Sequence, residues 1–333
     1  MTDRPAPQLY GGIDIGGTNI DCAVVSPDGT IEGRATQPTA PAGGHALVDA
    51  ALTCLAKALT DAGRSQGDLL AVGVGVPGRV DSSDGWVRTA VNLHIDDGGI
   101  PLGRDLAHAL AVPVTVENDA RMAAVGATIH YGDGTPVRDL AYIGLGTGVA
   151  AGIVRGGRLV RGSHAMAGEI GHVPVIGNPT PCACGLVGCL ETLVSGPAIA
   201  RAWPQAATEP ARHVFAAAGD GDAAAVAVAD DIARTVANAV QWLAAACDPN
   251  LIVVGGGVAV AAGRGLADRV LGMLGSPSGT STLGRQLYDP DHVRFVPPDV
   301  LLGAVGAAAL AQRRFGRTPS DRAEQQEKTG GGT

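Results

Sequence analysis

One imidazole and three thiols fall within a short span as His172-x9-Cys182-x-Cys184-x4-Cys189. That is the ligand set of a closed structural zinc site, in which thiolates and one ring nitrogen complete a tetrahedron. A redox pair or unrelated thiols are the competing readings. Pro181, Gly185 and Gly188 supply turns that let a short loop fold around an ion. Glu169 and Glu191 flank the knot. If zinc takes one nitrogen of His172, the other is fixed as an N–H donor toward a substrate hydroxyl, and the two carboxylates accept from neighbouring hydroxyls. Solvated surface charge is the plainer reading of both glutamates.

A second constellation, Glu117-Asn118-Asp119, follows a β-branched run that ends at Val116. Open α/β sheets place their ligands just past the carboxyl ends of such strands. Asp119 there is a candidate general base, able to accept the proton of a hydroxyl as it attacks phosphorus. The alternative is a cap on a helix beginning at Ala120. Asp14-Ile15-Gly16-Gly17-Thr18-Asn19 lies between two apolar strands. Its glycines let backbone amides approach an anion, Thr18 and Asn19 offer polar groups to phosphate, and Asp14 is suited to hold Mg²⁺ through water. An ordinary hairpin turn is the other reading. Gly144-Leu145-Gly146-Thr147-Gly148 opens a second strand pair in the same way. Two such turns suit the gripping of one phosphate chain. Gly73-Val74-Gly75-Val76-Pro77-Gly78 fits the dinucleotide fingerprint literally, but Pro77 and Gly78 read as a turn into another extended segment where that fingerprint needs a helix. Ala218-Gly219-Asp220-Gly221-Asp222 reads as a linker between Ala-rich helices.

These residues need elements to hold them. Tyr10 to Thr36 reads as a three-stranded antiparallel meander, His45 to Ala62 as a helix, and Leu70 to Val76 and Val112 to Val116 as buried strands. A second meander, Leu140 to Val160, repeats the order of the first and suggests an internal duplication. A long helix over Asp222 to Cys247, a strand over Leu251 to Val254 running into Gly255-Gly256-Gly257, and a last helix over Leu301 to Phe315 follow. Residues from Thr318 onward read as a disordered tail. Cys22, Cys54 and Cys247 fall singly in apolar surroundings and read as small buried residues.

Composition narrows the classes. The chain has 333 residues, 46% apolar and 17% charged, which is enough to bury a large core. The fifty glycines show no collagen period, and no apolar stretch approaches the ~20 residues of a membrane helix, Leu301 to Ala311 coming nearest. The net charge of -8 argues against sequence-independent nucleic-acid binding. Lys57 and Lys328 are the only lysines, and neither has the context of a P-loop or a protein-kinase lysine, so phosphate binding has to rest on backbone amides. The first residues lack the layout of a signal peptide, which leads us to expect a cytoplasmic protein without disulfides.

Taken together, the motifs resemble those of the ROK family of sugar kinases and repressors, above all its glucokinase-like bacterial members. The resemblance runs from about Tyr10 to Phe315 through Asp14-Ile-Gly-Gly-Thr, Val76-Pro77-Gly78, Asn92-Leu93, Glu117-Asn118-Asp119-Ala120, Gly144-Leu-Gly-Thr-Gly, Glu169-x-Gly171-His172, the cysteine knot with Glu191, and Gly255-Gly256-Gly257. It implies an actin-like, ribonuclease H-like α/β fold with two domains around a central cleft. The domains expected are residues 8–118 with 301–316, and residues 119–300 carrying the zinc site, followed by a tail over 317–333. It also implies transfer of the ATP γ-phosphate to a sugar hydroxyl, dependence on Mg²⁺, structural Zn²⁺ and homodimers, with tetramers as an alternative. By the same resemblance Asp119 is the base, while Gly78, Asn92, Asn118, Glu169, His172 and Glu191 hold the sugar. Asp14, Gly16, Gly17, Thr18, Asn19, Gly146, Thr147, Gly148, Gly255, Gly256 and Gly257 hold the nucleotide.

Two departures bear on the substrate. Asn92-Leu93 is followed by His94-Ile95-Asp96-Asp97-Gly98-Gly99, unlike the Pro- or Trp-containing loop usual in the family's glucokinases. The second phosphate turn continues as Val149-Ala150-Ala151-Gly152, where family members have more glycine, and methyl groups narrow the approach to phosphate. An amino or N-acetyl sugar, or a cyclitol, is therefore a rival acceptor, and polyphosphate a rival donor. A transcriptional regulator is disfavoured because the first strand begins about ten residues from Met1, leaving no room for a helix-turn-helix. A non-catalytic sugar sensor stays open.

Overall fold

The computed structural model describes residues 8–39, 44–96, 98–206, 208–275, 284 and 289–316. The tail expected over 317–333 and Asp97 lie outside these. Two compact units form, one from the residues up to Gly126 together with those from Leu301, the other from Ala127–Val300.

The first unit begins with the expected meander, β1 (Leu9–Ile15), β2 (Asn19–Val25) and β3 (Ile31–Pro38). Helix α1 (His45–Asp61) follows and buries Leu47, Val48, Ala51, Cys54, Leu55, Ala58 and Leu59 against the sheet. Strand β4 (Leu69–Val76) leads into a small hairpin, β5 (Arg79–Asp81) and β6 (Trp86–Thr89). Helix α2 (Leu102–Leu110), strand β7 (Val114–Asn118) and helix α3 (Asp119–His130) complete this stretch. The sheet order is β3-β2-β1-β4-β7, with β1, β4 and β7 parallel to one another. β1 and β4 are buried along nearly their whole length, as strands covered on both faces must be.

The second face is covered by the last helix. Gly12 on β1 and Gly73 on β4 are register partners. A Cβ on Gly12 would lie 1.8 Å from the Ala304 carbonyl oxygen, and one on Gly73 would lie 1.9 Å from that of Ala307. The helix beginning at Leu302 thus rests its backbone directly on the sheet, with Ala304, Ala308 and Ala311 packed on Tyr10, Ala23 and Ala71. This explains the literal dinucleotide fingerprint. Gly73 lies inside a strand to admit a helix backbone, and Gly78, at φ 91°, turns the chain into β5.

The second unit repeats the plan. Strands β8 (Leu140–Leu145), β9 (Val149–Arg155) and β10 (Arg158–Leu159) form the second meander. Helices α4 (Glu191–Val194), α5 (Gly196–Ala202), α6 (Pro210–Gly219) and α7 (Ala223–Cys247) precede β11 (Leu251–Gly255). Helix α8 (Gly257–Gly275), broken at Gly263, and β12 (Val293–Phe295) follow, and Leu302–Phe315 is α9. The sheet order β10-β9-β8-β11-β12 matches that of the first sheet, position for position. The duplication suggested by the glycine turns is therefore carried by topology. Helices α6, α7 and α8 supply Val214, Phe215, Ile232, Val236, Leu266 and Val270 to a core shared with Ile143, Ile252 and Val254. Asp222 caps α7 by accepting from the Ala225 amide at 2.9 Å, so the Asp220-Gly221-Asp222 stretch is the expected linker.

Cys22 and Cys54 are buried, as expected, and Cys54 donates to the Ile20 carbonyl at 3.4 Å. One expectation needs correction. Cys247 is only half-buried, at the end of α7. Among the described residues no helix is long and apolar enough to cross a membrane, and the Leu301 to Ala311 stretch is largely buried on the sheet within α9.

Candidate active site and metal centre

In the first unit β1, β4 and β7 run parallel, so Ile15, Val76 and Asn118 end at the same edge of the sheet. Sequence alone weighed Asp119 as cap against Asp119 as base. The cap is Asn118, whose Oδ1 accepts from the Arg121 amide at 3.3 Å. Asp119 occupies the first helical position, where the dipole of α3 favours negative charge, and its Oδ1 accepts from the Ala120 amide at 2.8 Å. Asn118 Nδ2 donates to the Gly78 carbonyl at 3.4 Å. Gly78 in turn presses on the next segment, since a Cβ there would lie 2.1 Å from the Thr89 carbonyl oxygen. That segment closes by paired hydrogen bonds between Ala90 and Ile95, at 3.0 and 3.1 Å. Leu93 and Ile95 are buried, Asn92 is exposed between them, and His94 takes the left-handed φ of 54°. Buried Leu93 and Ile95, the latter paired with Ala90, therefore anchor the loop that carries Asn92. Asn118 and Gly78 are thus joined by a hydrogen bond, Asp119 follows Asn118 in the chain, and Asn92 lies in the segment that Gly78 packs against at Thr89 and Ala90.

Asp14 lies near Asp119. Its Oδ1 is shut off from solvent and has no hydrogen-bond partner among the described residues. Burial, and then the charges of Asp119 and Asp21, push its carboxyl well above the usual range. Gly303, the second residue of α9, makes room for it, for a Cβ there would lie 1.9 Å from Asp14 Oδ2. An orphaned carboxylate oxygen near a second carboxylate is suited to a hydrated divalent cation. The adjoining turn is held at Gly16 by its own amide on the Asn19 carbonyl (2.8 Å) and by the Thr39 hydroxyl on the Gly16 carbonyl (2.7 Å). Gly17, Thr18 and Asn19 are exposed at its tip.

The second unit holds the other glycine turns side by side. Gly144 and Gly255 are register partners on β8 and β11. Gly256 takes φ 88° against the Leu145 backbone, which a Cβ would approach to 2.5 Å, and Gly257 starts α8 in the open. Gly146 donates to the Gly148 carbonyl at 3.0 Å and accepts from the Gly196 amide at 2.8 Å, which leaves Thr147 exposed at the tip. A helix N-terminus beside two glycine turns attracts phosphate through its unpaired amides and dipole.

The predicted metal ligands also converge in this unit. The ligand atoms of His172, Cys182, Cys184 and Cys189 all lie within 4.8 Å of one another. Cys184 and Cys189 sulfurs are 3.6 Å apart, and Cys182 Sγ is 3.8 Å from His172 Nδ1. A tetrahedral zinc with bonds of ~2.3 Å has edges of about 3.8 Å, so the spacing fits the ion. Gly185 and Gly188, at φ 90° and 84°, make the tight turns of the loop. Burial pushes the Cys182 thiol up to about 12, whereas the Leu186 amide lowers that of Cys184. Both glutamates reach the same histidine. Glu191 Oε1 is 3.7 Å from Nδ1 and accepts the Cys182 thiol at 2.9 Å, while Glu169 Oε2 is 4.0 Å from Nε2. With Nδ1 facing the sulfurs, Nε2 is the nitrogen left to donate outward.

The sequence reading passed over Arg121, Ser82 and Arg314, which brace β7. Ser82 Oγ donates to Glu117 Oε2 and Arg121 Nη1 to Glu117 Oε1, each at 3.0 Å. Glu117-x3-Arg121, a carboxylate one helical turn before a guanidinium, was the available signal.

The ROK family model matches residues 10–314. The chain belongs to the ROK family. A glucokinase of Halalkalibacterium halodurans is 38% identical over 279 residues, covering 78% of this chain and 82% of that one. An N-acetylmannosamine kinase of Escherichia coli is 34% identical and covers 75% of this chain and 84% of its own length. A ROK glucokinase of Streptomyces griseus, solved with glucose and AMPPNP, superposes with a TM-score of 0.73 at 32% identity, over 92% of this chain and 99% of that one. The paired five-stranded sheets are the ROK version of the actin-like ATPase fold.

Proposed function

We propose that this ROK chain phosphorylates a hexose in the manner of a glucokinase, with Asp119 as the general base. The enzyme is an ATP-dependent sugar kinase, a reading supported by the glucokinase relatives at up to 38% identity and by the glucose-bound ROK neighbour. The observation that carries the base assignment is the division of labour at the start of α3: Asn118 caps the helix, and Asp119 stands at the strand ends beside Asp14.

In this mechanism Asn92, Asn118, Glu169, His172 and Glu191 orient the sugar, with Gly78 shaping the loop that presents Asn92. Asp119 accepts the proton of the attacking hydroxyl as the bond to the γ-phosphorus forms. Gly16, Gly17, Thr18 and Asn19, like Gly146, Thr147, Gly148 and Gly255–Gly257, are suited to offer backbone amides and small polar groups to a nucleotide's phosphates. Asp14 would hold the hydrated Mg²⁺ that accompanies ATP, and the ion would supply positive charge to the phosphates during transfer. His172, Cys182, Cys184 and Cys189 would hold a structural zinc, which would supply no chemistry to the transfer and would leave the His172 Nε2 to donate toward the sugar. We place the enzyme in the cytoplasm as a homodimer.

A second reading keeps the chemistry and changes the acceptor to an N-acetyl or amino sugar or a cyclitol. It is favoured by the unusual His94-Ile95 sequence after Asn92-Leu93 and by the weaker likeness to the N-acetylmannosamine kinase. ADP release from Mg-ATP across glucose, mannose, fructose, N-acetylmannosamine, N-acetylglucosamine and cyclitols separates the two, with a polyphosphate arm for the donor. Turnover fastest with glucose, lost in Asp119→Asn, supports the first reading. Preference for an N-acetyl sugar or a cyclitol supports the second. Sugar binding without turnover on any donor overturns both in favour of a sensor.

A further inference from the structure

Glu117 and Arg121 form an ion pair at 3.0 Å with side-chain exposures of 0% and 2%. Such pairs are costly, because desolvating two charges consumes most of what their attraction returns, and apolar residues of the same shape serve stability as well or better. Geometry suggests what this one does. Arg121 reaches Glu117 through its guanidinium and Asn118 through its backbone amide, at 3.0 and 3.3 Å. The Glu117 carboxylate also accepts the Asn118 amide, at 3.0 Å. The backbone on the strand side of Asp119 is thus gripped from within α3. The grip extends outward: Ser82 donates to Glu117, and Arg314 of α9 donates to the Ser82 carbonyl at 3.2 Å and to the Thr115 hydroxyl at 3.1 Å.

We propose that Glu117 and Arg121 act as a positioning clamp that sets the direction in which the Asp119 carboxylate leaves the first turn of α3. The clamp rests on Asp119 being the base. Arg121 also places a positive charge at a strand end that otherwise gathers Asp14, Glu117 and Asp119. Its planar fork fixes the Glu117 carboxylate in a way that a lysine ammonium does not.

The test measures kcat and KM for the preferred sugar, together with the unfolding temperature, in Arg121→Met, Arg121→Lys, Glu117→Gln/Arg121→Met and Asp119→Asn full-length proteins. Misplaced catalytic groups lose about 10²-fold in rate. We expect Arg121→Met to lose kcat on that scale at unchanged KM, and Arg121→Lys to recover part of it. The double variant removes both buried charges, so it regains the unfolding temperature but not kcat. Full kcat in folded Arg121→Met, or a double variant that regains both temperature and kcat, overturns the clamp. If Arg121→Met does not fold, the double variant decides alone. Activity in Asp119→Asn removes the base and the clamp with it, whereas an inactive Asp119→Asn beside a fully active double variant refutes only the clamp.

Discussion

Asn118 Oδ1 accepts the Arg121 amide at 3.3 Å, so the residue before Asp119, and not Asp119 itself, closes the first turn of α3. Replacing the two residues therefore has different consequences. Asp119→Asn keeps the fold and lowers kcat by roughly 10²–10⁴-fold, the usual worth of a general base. Asn118→Ala loses the cap and costs about 1 kcal/mol of stability in addition to sugar affinity. Thermal unfolding beside ADP release separates them; an Asp119→Asn protein that turns over at the parent rate removes the assignment.

The ligand atoms of His172, Cys182, Cys184 and Cys189 all lie within 4.8 Å of one another, with two of their separations at 3.8 and 3.6 Å. Purified protein is expected to carry about one zinc per chain, the stoichiometry of a closed four-ligand site. Cys184→Ser should leave well under that amount and lower the unfolding temperature, because metal binding is linked to folding of the loop. Elemental analysis is the check, and metal-free protein of unchanged stability and activity would contradict the assignment.

Gly73 tests the packing argument. A Cβ there would lie 1.9 Å from the Ala307 carbonyl oxygen, so Gly73→Ala must push α9 off the sheet. We expect a loss of about 1–3 kcal/mol in urea unfolding, on the scale of core overpacking. No change in nicotinamide dinucleotide affinity should accompany it, since the parent is expected to have none; saturable binding of such a dinucleotide would revive the fingerprint reading.

Asp14 makes a prediction in pH. Burial, Asp119 and Asp21 raise its folded pKa above the ordinary value of 3.8, so between the two values the folded state holds a proton that the unfolded state has released. Stability then falls as pH rises through that window, and stays reduced above it. Asp14→Asn has no such proton to lose. The variant should gain in unfolding temperature over the parent as pH is raised from about 4 to 7, while losing Mg-ATP turnover. A stability difference that does not depend on pH would show that the carboxyl titrates alike in both states.

Much of this was legible in one sequence because local signals and tertiary structure agreed. The Gly16-Gly17 and Gly146–Gly148 turns lie between apolar runs of period two, and both became hairpins of the expected antiparallel kind. His172, Cys182, Cys184 and Cys189 are close in the chain, so their meeting needed only a short loop. What escaped notice was set by distant partners. Arg121 reads as an ordinary helical cation, and only its burial shows that it serves Glu117. Gly73 could be read as a motif because the helix it admits lies more than two hundred residues away.

That last distance bears on how the chain assembles during synthesis. The strands of the first sheet are complete by Asn118, yet one face is covered by Leu302–Phe315, which leaves the ribosome after every residue of the second unit. The Ala127–Val300 segment is continuous and has its own core. The packing around Tyr10, Ala23 and Ala71 can therefore close only once α9 has been made.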